Sequence, residues 1–255
     1  MAIGSSATVR SAKMRALKGP EHTSPMTSSD SAQHRPIRSF VLRQGRITEA
    51  QRQALDLLWP RYGIEPADCR APALLFPQPQ PLVLEIGFGN GESLTQMAAA
   101  TPERNFLGIE VHRPGVGHAL LRIEELGLKN VRVCCADAVE VLKQFIPDAS
   151  LAGIQVFFPD PWHKKRHHKR RLINPEFTEL AARKLKTGGV LHAATDWHDY
   201  ALQMLEVLEG CEALKNQAGA RQFSERPAHR PLTKFESRGQ RLGHGVWDLL
   251  FEKRP

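Results

Sequence analysis

Between Leu82 and Thr195 short apolar runs alternate with longer stretches in which apolar residues recur at helical spacing. That alternation is the mark of βαβ units, because a strand covered on both faces reads as a continuous apolar run while its covering helices are two-sided. The runs predict strands at Leu82–Ile86, Asn105–Glu110, Val131–Cys135, Leu151–Phe158 and Val190–Thr195, with helices filling the gaps. A last run, Val246–Phe251, follows Gly243 and Gly245 and predicts a strand that closes the sheet edge or inserts antiparallel. The expected class is therefore α/β, a doubly wound and mostly parallel sheet. Upstream, Thr48 with Gln51 three residues later forms a capping-box pattern, and Ala54, Leu55, Leu57, Leu58 and Trp59 give the helix that follows an apolar stripe. The proline-rich stretch from Pro72 to Pro81 reads as a linker. Residues 1–36 carry no apolar period and are rich in Ser, Thr, Ala, Arg and Lys, so they cannot bury enough surface to offset their ordering entropy. The chain divides into a disordered basic tail at 1–36, an N-terminal helical extension and linker at 37–80, and the main domain at 81–255. No internal repeat is visible.

Charge changes the picture more than composition does. Thirty-five Lys and Arg against 27 Asp and Glu leave a net charge of +8, which favours a polyanionic partner without identifying it. The four cysteines, Cys69, Cys134, Cys135 and Cys211, form no C-x-x-C pair, so neither a zinc ribbon nor a disulfide scaffold is expected. No apolar run approaches the roughly 18 residues of a membrane helix, and the first residues lack the apolar core of a signal peptide. These features predict a soluble protein of the cytoplasm with no membrane attachment.

Candidate chemistry begins at Leu84-Glu85-Ile86-Gly87-Phe88-Gly89-Asn90-Gly91-Glu92, which leaves an apolar strand and enters a helix, the context of a ligand-cradling loop. A dinucleotide fingerprint needs glycine where Glu92 stands, and an acid at a helix start repels a pyrophosphate but not a zwitterionic amino acid. Glu110 ends the next strand, 25 residues beyond Glu85, where a carboxylate can accept both hydroxyls of a ribose. Asp137 follows the third strand, where an acid or its neighbouring backbone can meet an adenine amino group. Each acid alone also fits a helix N-cap or a turn. Three of them at the ends of three consecutive strands resemble the class I S-adenosylmethionine-dependent methyltransferases. That resemblance implies a seven-stranded, Rossmann-like sheet.

The most specific segment runs from Phe157-Phe158-Pro159-Asp160-Pro161-Trp162 into six Lys or Arg and three His within the nine residues from His163 to Arg171. It leaves the fourth strand at the position where substrate meets cofactor in an open α/β sheet. Pro159 and Pro161 restrict the backbone around Asp160 and aim its side chain into the cleft, and Trp162 offers an aromatic face to a base. The basic run supplies phosphate contacts. From about Phe40 to Glu252 the chain resembles the bacterial tRNA (guanine-N(7)-)-methyltransferase family. The matching stretches are Leu84 to Gly89, Gly108-Ile109-Glu110-Val111-His112, the Phe157 to Trp162 turn with its basic continuation, Ala194-Thr195-Asp196-Trp197, and Pro231-Leu232-Thr233-Lys234-Phe235-Glu236.

The resemblance implies S-adenosylmethionine as cofactor, lined by Glu85, Glu110, Asp137 and Asp160 with the backbone of Gly87 and Gly89. It implies tRNA as partner, contacted by Lys164, Asp196 and Thr233, Lys234, Phe235 and Glu236, with Arg166, His167, His168, Lys169, Arg170 and Arg171 as an RNA-binding stretch. The expected product is 7-methylguanosine, in the variable loop, made by a monomer or a homodimer. Guanine N7 carries a lone pair in the neutral base, so no strong general base is needed. Asp160 is the expected catalytic residue, either favouring the positive charge that moves onto the purine or hydrogen-bonding the guanine N1 and N2 donors, and Asp196 is the other acid suited to that second task. No metal is expected. An RNA-binding protein that has lost catalysis is disfavoured by the intact acids, an NAD-dependent oxidoreductase by Glu92, and a small-molecule methyltransferase by the basic run.

Overall fold

Thr48 opens the first described helix in the way its sequence requires. Its hydroxyl accepts from the Gln51 N–H at 3.3 Å, and Gln51 Oε1 accepts from the Thr48 N–H at 2.9 Å, closing the capping box. The helix α1 (Glu49–Leu57) buries Ala54 and Leu55, whereas Leu57, expected on the apolar stripe, is 75% exposed. The chain is a computed structural model described at residues 39–40, 45–232, 236 and 245–255. The tail expected over residues 1–36 and the expected contacts Thr233, Lys234 and Phe235 lie outside the described residues.

After α1 come a single-turn helix α2 (Trp59–Tyr62) and a two-residue strand β1 (Gly63–Ile64). The proline-rich stretch expected as a linker contains a short 3-10 turn at Pro72–Leu74, preceded by another at Pro66–Arg70. The expected alternation then follows: β2 (Leu82–Ile86), α3 (Glu92–Ala100), β3 (Asn105–Ile109), α4 (Arg113–Glu125), β4 (Val131–Cys134), α5 (Ala138–Gln144), β5 (Leu151–Phe157), α6 (Pro175–Lys184), β6 (Leu185–Thr195), α7 (His198–Glu209), β7 (Leu214–Asn216) and β8 (Trp247–Lys253). A 3-10 helix at Lys165–Arg170 carries the basic run. Boundaries differ from expectation most at β6, which starts at Leu185 rather than Val190. Gly188 and Gly189 interrupt its apolar pattern, yet Leu185 still pairs with Leu151.

The strands form one sheet in the order β1-β4-β3-β2-β5-β6-β8-β7. All neighbours are parallel from β1 to β6, and β8 inserts antiparallel between β6 and β7. The sheet thus has eight strands instead of seven, because Gly63–Ile64 of the extension pairs with Val133 and Cys134 at the edge. Both faces are covered. Leu84, Ile86, Ile154 and Val156 pack with α5, α6 and α7 on one face, while Val83, Phe106, Val131 and Val133 pack with α1, α3 and α4 on the other. Burying each such side chain stabilises the fold by about 2 kcal/mol, which is why these strands read as unbroken apolar runs. The strand order reverses between β2 and β5, so the loops leaving these two strands diverge and open a crevice at their carboxyl ends. Among the described residues no helix is long and apolar enough to cross a membrane.

Candidate active site

Two cavities meet at that crevice, of about 720 and 220 Å³, and they share Gly87, Phe157, Phe158 and Asp160 in their walls. The larger is bounded by Glu85, the Phe88–Asn90 loop, Ser93 and Asp196. The smaller is bounded by Glu110, Val111, Asp137 and Ser39 with Phe40. Expected cofactor residues from four separate strands are therefore brought together, and Asp160 stands between the two spaces.

The glycine loop owes its shape to backbone freedom. Gly87 and Gly89 have φ of 71° and 58°, in the left-handed region that side chains rarely adopt, and a Cβ built on either would meet nothing within 4 Å. The space in front of the loop is thus left to a ligand. Behind it the packing is tight: a Cβ on Gly115 of α4 would lie 2.2 Å from the Gly89 carbonyl oxygen.

Glu85 is 1% exposed at the end of β2 and accepts a hydrogen bond from the Ser93 hydroxyl, while its Oε2 has no hydrogen-bond partner among the described residues. Burial pushes its pKa from 4.5 up to about 7; the Glu110 carboxylate adds to the rise, and the Ser93 hydroxyl opposes it. An unpartnered, buried carboxylate oxygen beside an open cavity is suited to a cationic group, such as the ammonium of an amino-acid moiety. Glu110 is arranged differently. Its Oε1 accepts from the backbone N–H groups of Val111 at 2.7 Å and His112 at 2.9 Å, and its Oε2 accepts from Gly89 N–H at 2.9 Å. Three backbone donors fix the carboxylate, and two oxygens with about four acceptor sites still leave room for a ribose hydroxyl. Asp137 is the N-cap of α5, accepting from Val139 N–H at 3.0 Å, so the cap function and a place in the smaller cavity coexist in one side chain. Donor set, cradle and orphaned oxygen together fit an amino-acid-bearing nucleoside.

The turn after β5 is strained. Phe158 and Trp162 both have positive φ, 51° and 48°, a conformation that costs on the order of 1–3 kcal/mol per non-glycine residue and persists only where surrounding contacts enforce it. Those contacts are visible: Phe158 N–H donates to Ala194 O at 2.8 Å, Trp162 Nε1 donates to Ser39 O at 3.1 Å, and Arg171 Nε donates to Pro161 O at 2.9 Å. Asp160 between the two prolines is exposed to the cleft, as is Asp196 beyond the end of β6. Trp197, 39% exposed, packs edge-on against His163, with ring centroids 4.2 Å apart. Trp162 instead carries the Arg170 guanidinium over its ring at 4.6 Å, so this face is occupied by the protein's own cation.

The basic run divides in two. Lys164, Arg166 and Lys169 are exposed, together with Lys165, and His167, His168 and Arg170 are half-buried. Arg171 is inside, 2% exposed, and its guanidinium binds Asp199 at 2.6 Å while stacking over the Tyr200 ring. It anchors the run rather than offering itself to a phosphate. Glu236 is likewise interior, 1% exposed and held by Arg230. Arg230, Asp248 and His192, which join Glu236 in this buried cluster, were not singled out from the sequence; an arginine three residues before Thr233 and an acid inside a strand were the available signals.

Residues 79–249 match the family model described as "Putative methyltransferase". The chain is 64% identical over 219 residues to the tRNA (guanine-N(7)-)-methyltransferase of Methylococcus capsulatus, covering 86% of this chain and 95% of that one. It is 58% identical to the protein of the same name from Alcanivorax borkumensis, covering 86% and 92%. The crystal structure of a 16S rRNA methyltransferase superposes with a TM-score of 0.52 at 16% identity, covering 84% of this chain and 97% of that one, a likeness of fold.

Proposed function

We propose, from the premise that this chain belongs to the tRNA (guanine-N(7)-)-methyltransferase family, that S-adenosylmethionine is its methyl donor and a guanine of the tRNA variable loop its target. The protein is an enzyme that transfers a methyl group to N7 of a guanine in tRNA. The observation that carries the proposal is the placement of Asp160 between two cavities at the sheet's switch point, on a turn held in left-handed backbone at both ends.

When bound, the cofactor supplies an electrophilic methyl on a sulfonium. Everything else falls to the chain. Glu85 Oε2 takes the ammonium in the larger cavity, and Glu110, preorganised by three backbone donors, takes a ribose hydroxyl beside the smaller one. Asp137 and its neighbours line the space for the adenine. Because N7 has a lone pair, the protein needs to remove no proton before transfer. Its work is alignment, which can contribute several kcal/mol, and stabilisation of the positive charge that arrives on the purine. Asp160 is the acid proposed for that charge or for the guanine N1 and N2 donors, and Asp196, which lines the same cavity, is the other acid suited to the second task. Trp197 packed on His163 offers an exposed aromatic surface next in sequence to Asp196, and the exposed cations of Lys164–Lys169 meet the phosphates.

Transfer of labelled methyl from S-adenosylmethionine to unmodified tRNA transcripts, with the product nucleoside identified by mass spectrometry, tests the reading. Wild-type protein is expected to form 7-methylguanosine, and Asp160→Ala to lose at least a hundredfold in kcat while keeping S-adenosylhomocysteine affinity within about threefold, the scale of a lost transition-state charge contact. Full activity in Asp160→Ala would remove Asp160 from the mechanism. Mapping the methyl to a nucleotide outside the variable loop would refute the target while leaving the chemistry intact.

A further inference from the structure

Beneath the Asp160 turn lies a cluster of buried charges that the reaction itself does not use. Arg230 is 1% exposed, and its guanidinium makes two bidentate pairs. Nε and Nη2 donate to Asp248 at 2.7 and 2.9 Å, and Nη1 and Nη2 donate to Glu236 at 2.6 and 2.9 Å. Asp248 lies on β8 and also binds His192 Nε2 of β6 at 2.7 Å. The same guanidinium sits 5.7 Å from the ring centroid of Phe158, the left-handed residue that starts the Asp160 turn. One cation thus fastens three things together: the antiparallel strand β8 through Asp248, the strained turn with Asp160 through Phe158, and the carboxylate of Glu236.

We propose that Arg230 is a positioning residue for tRNA methylation, and that Glu236 serves by binding Arg230 rather than by touching RNA. The inference rests on the reading that Asp160, on the turn that Phe158 begins, serves the methyl transfer. Physically, two carboxylates on one fork fix both the direction and the distance of what they are attached to, which a single hydrogen bond does not. Burial raises the stakes, because either carboxylate left without its guanidinium is an uncompensated charge in the interior. Arg230 and Glu236 are six residues apart in the sequence, and their ion pair holds both side chains in the interior at 1% exposure. The left-handed Phe158 gains from the same group, whose cation lies against its ring.

The test is a double-mutant cycle on Arg230→Lys and Glu236→Gln in the full chain, read as kcat and KM for tRNA, with S-adenosylhomocysteine affinity by calorimetry and melting temperature alongside. Each single variant is expected to lower kcat/KM for tRNA at least tenfold, with S-adenosylhomocysteine affinity within about threefold of wild type. The double variant is expected to lose no more than the worse single, because both changes break one unit. Losses that multiply would assign Glu236 a contact of its own and overturn the proposal. So would a lower melting temperature with kcat and KM unchanged, which marks a purely structural pair. If Arg230→Lys does not fold, Glu236→Gln decides alone, since wild-type kcat/KM in that variant refutes the idea. If wild-type protein methylates no tRNA, the functional reading fails instead, and the two failures are told apart by that arm.

Discussion

Glu85 sits in β2 between Leu84 and Ile86, with all three side chains out of water, and it alone bears a group that resists burial. Its folded pKa of about 7 against an ordinary 4.5 has a definite consequence. The folded state binds the proton more tightly than the unfolded one, so stability falls as pH climbs from about 4.5 through about 7. A cation beside Oε2 favours the ionised carboxylate, so affinity for S-adenosylhomocysteine is expected to rise over the same interval, by up to about tenfold between pH 6 and 7.5. Calorimetry at the two pH values measures this, and Glu85→Gln should bind weakly with a flat profile. An equally steep profile in the glutamine variant would assign the titration to another group.

At the scale of elements, the site depends on how closely α4 can approach the loop after β2. Gly115 permits that approach, since a Cβ there would stand 2.2 Å from Gly89 O, a backbone atom that cannot swing aside. Gly115→Ala is therefore expected to push the cradle out of shape, lowering both the melting temperature and S-adenosylhomocysteine affinity, the latter at least tenfold. Gly127→Ala at the far end of the same helix is the control. Gly127 has φ of 61° with open space around it, so alanine there should cost about 1 kcal/mol of stability and leave affinity alone. Unchanged affinity in Gly115→Ala would mean the loop absorbs the clash. The apolar periodicity made β2 to β5 and their helices legible because burial on both faces leaves a strong imprint. The two-residue β1 and three-residue β7 left none, being too short to show a period.

For the whole molecule, the net charge of +8 matters through where its cations sit. Lys164, Lys165, Arg166 and Lys169 face solvent, whereas Arg171 is buried and bound to Asp199. Log affinity for tRNA should fall linearly with log salt, and Lys165→Ala with Lys169→Ala together should reduce that slope by about 1–2. Arg171→Met should instead show itself as a lower melting temperature, because it leaves the run unanchored. A slope unchanged in the double lysine variant would place the RNA elsewhere on the surface. The sequence by itself determined the class of fold, the positions of the central strands along the chain and the acids at their ends, since these follow from local periodicity and from residue types that one chemistry requires. It also marked the Pro159–Asp160–Pro161 turn and the basic run, but it did not separate the buried cation of that run from the exposed ones. Only the tertiary structure decided that Arg171 and Glu236 turn inward, that Arg170 covers Trp162, and that Arg230, Asp248 and His192 meet beneath Phe158. Burial and pairing of charge depend on which residues distant in sequence share a space, and no local pattern along the chain encodes that.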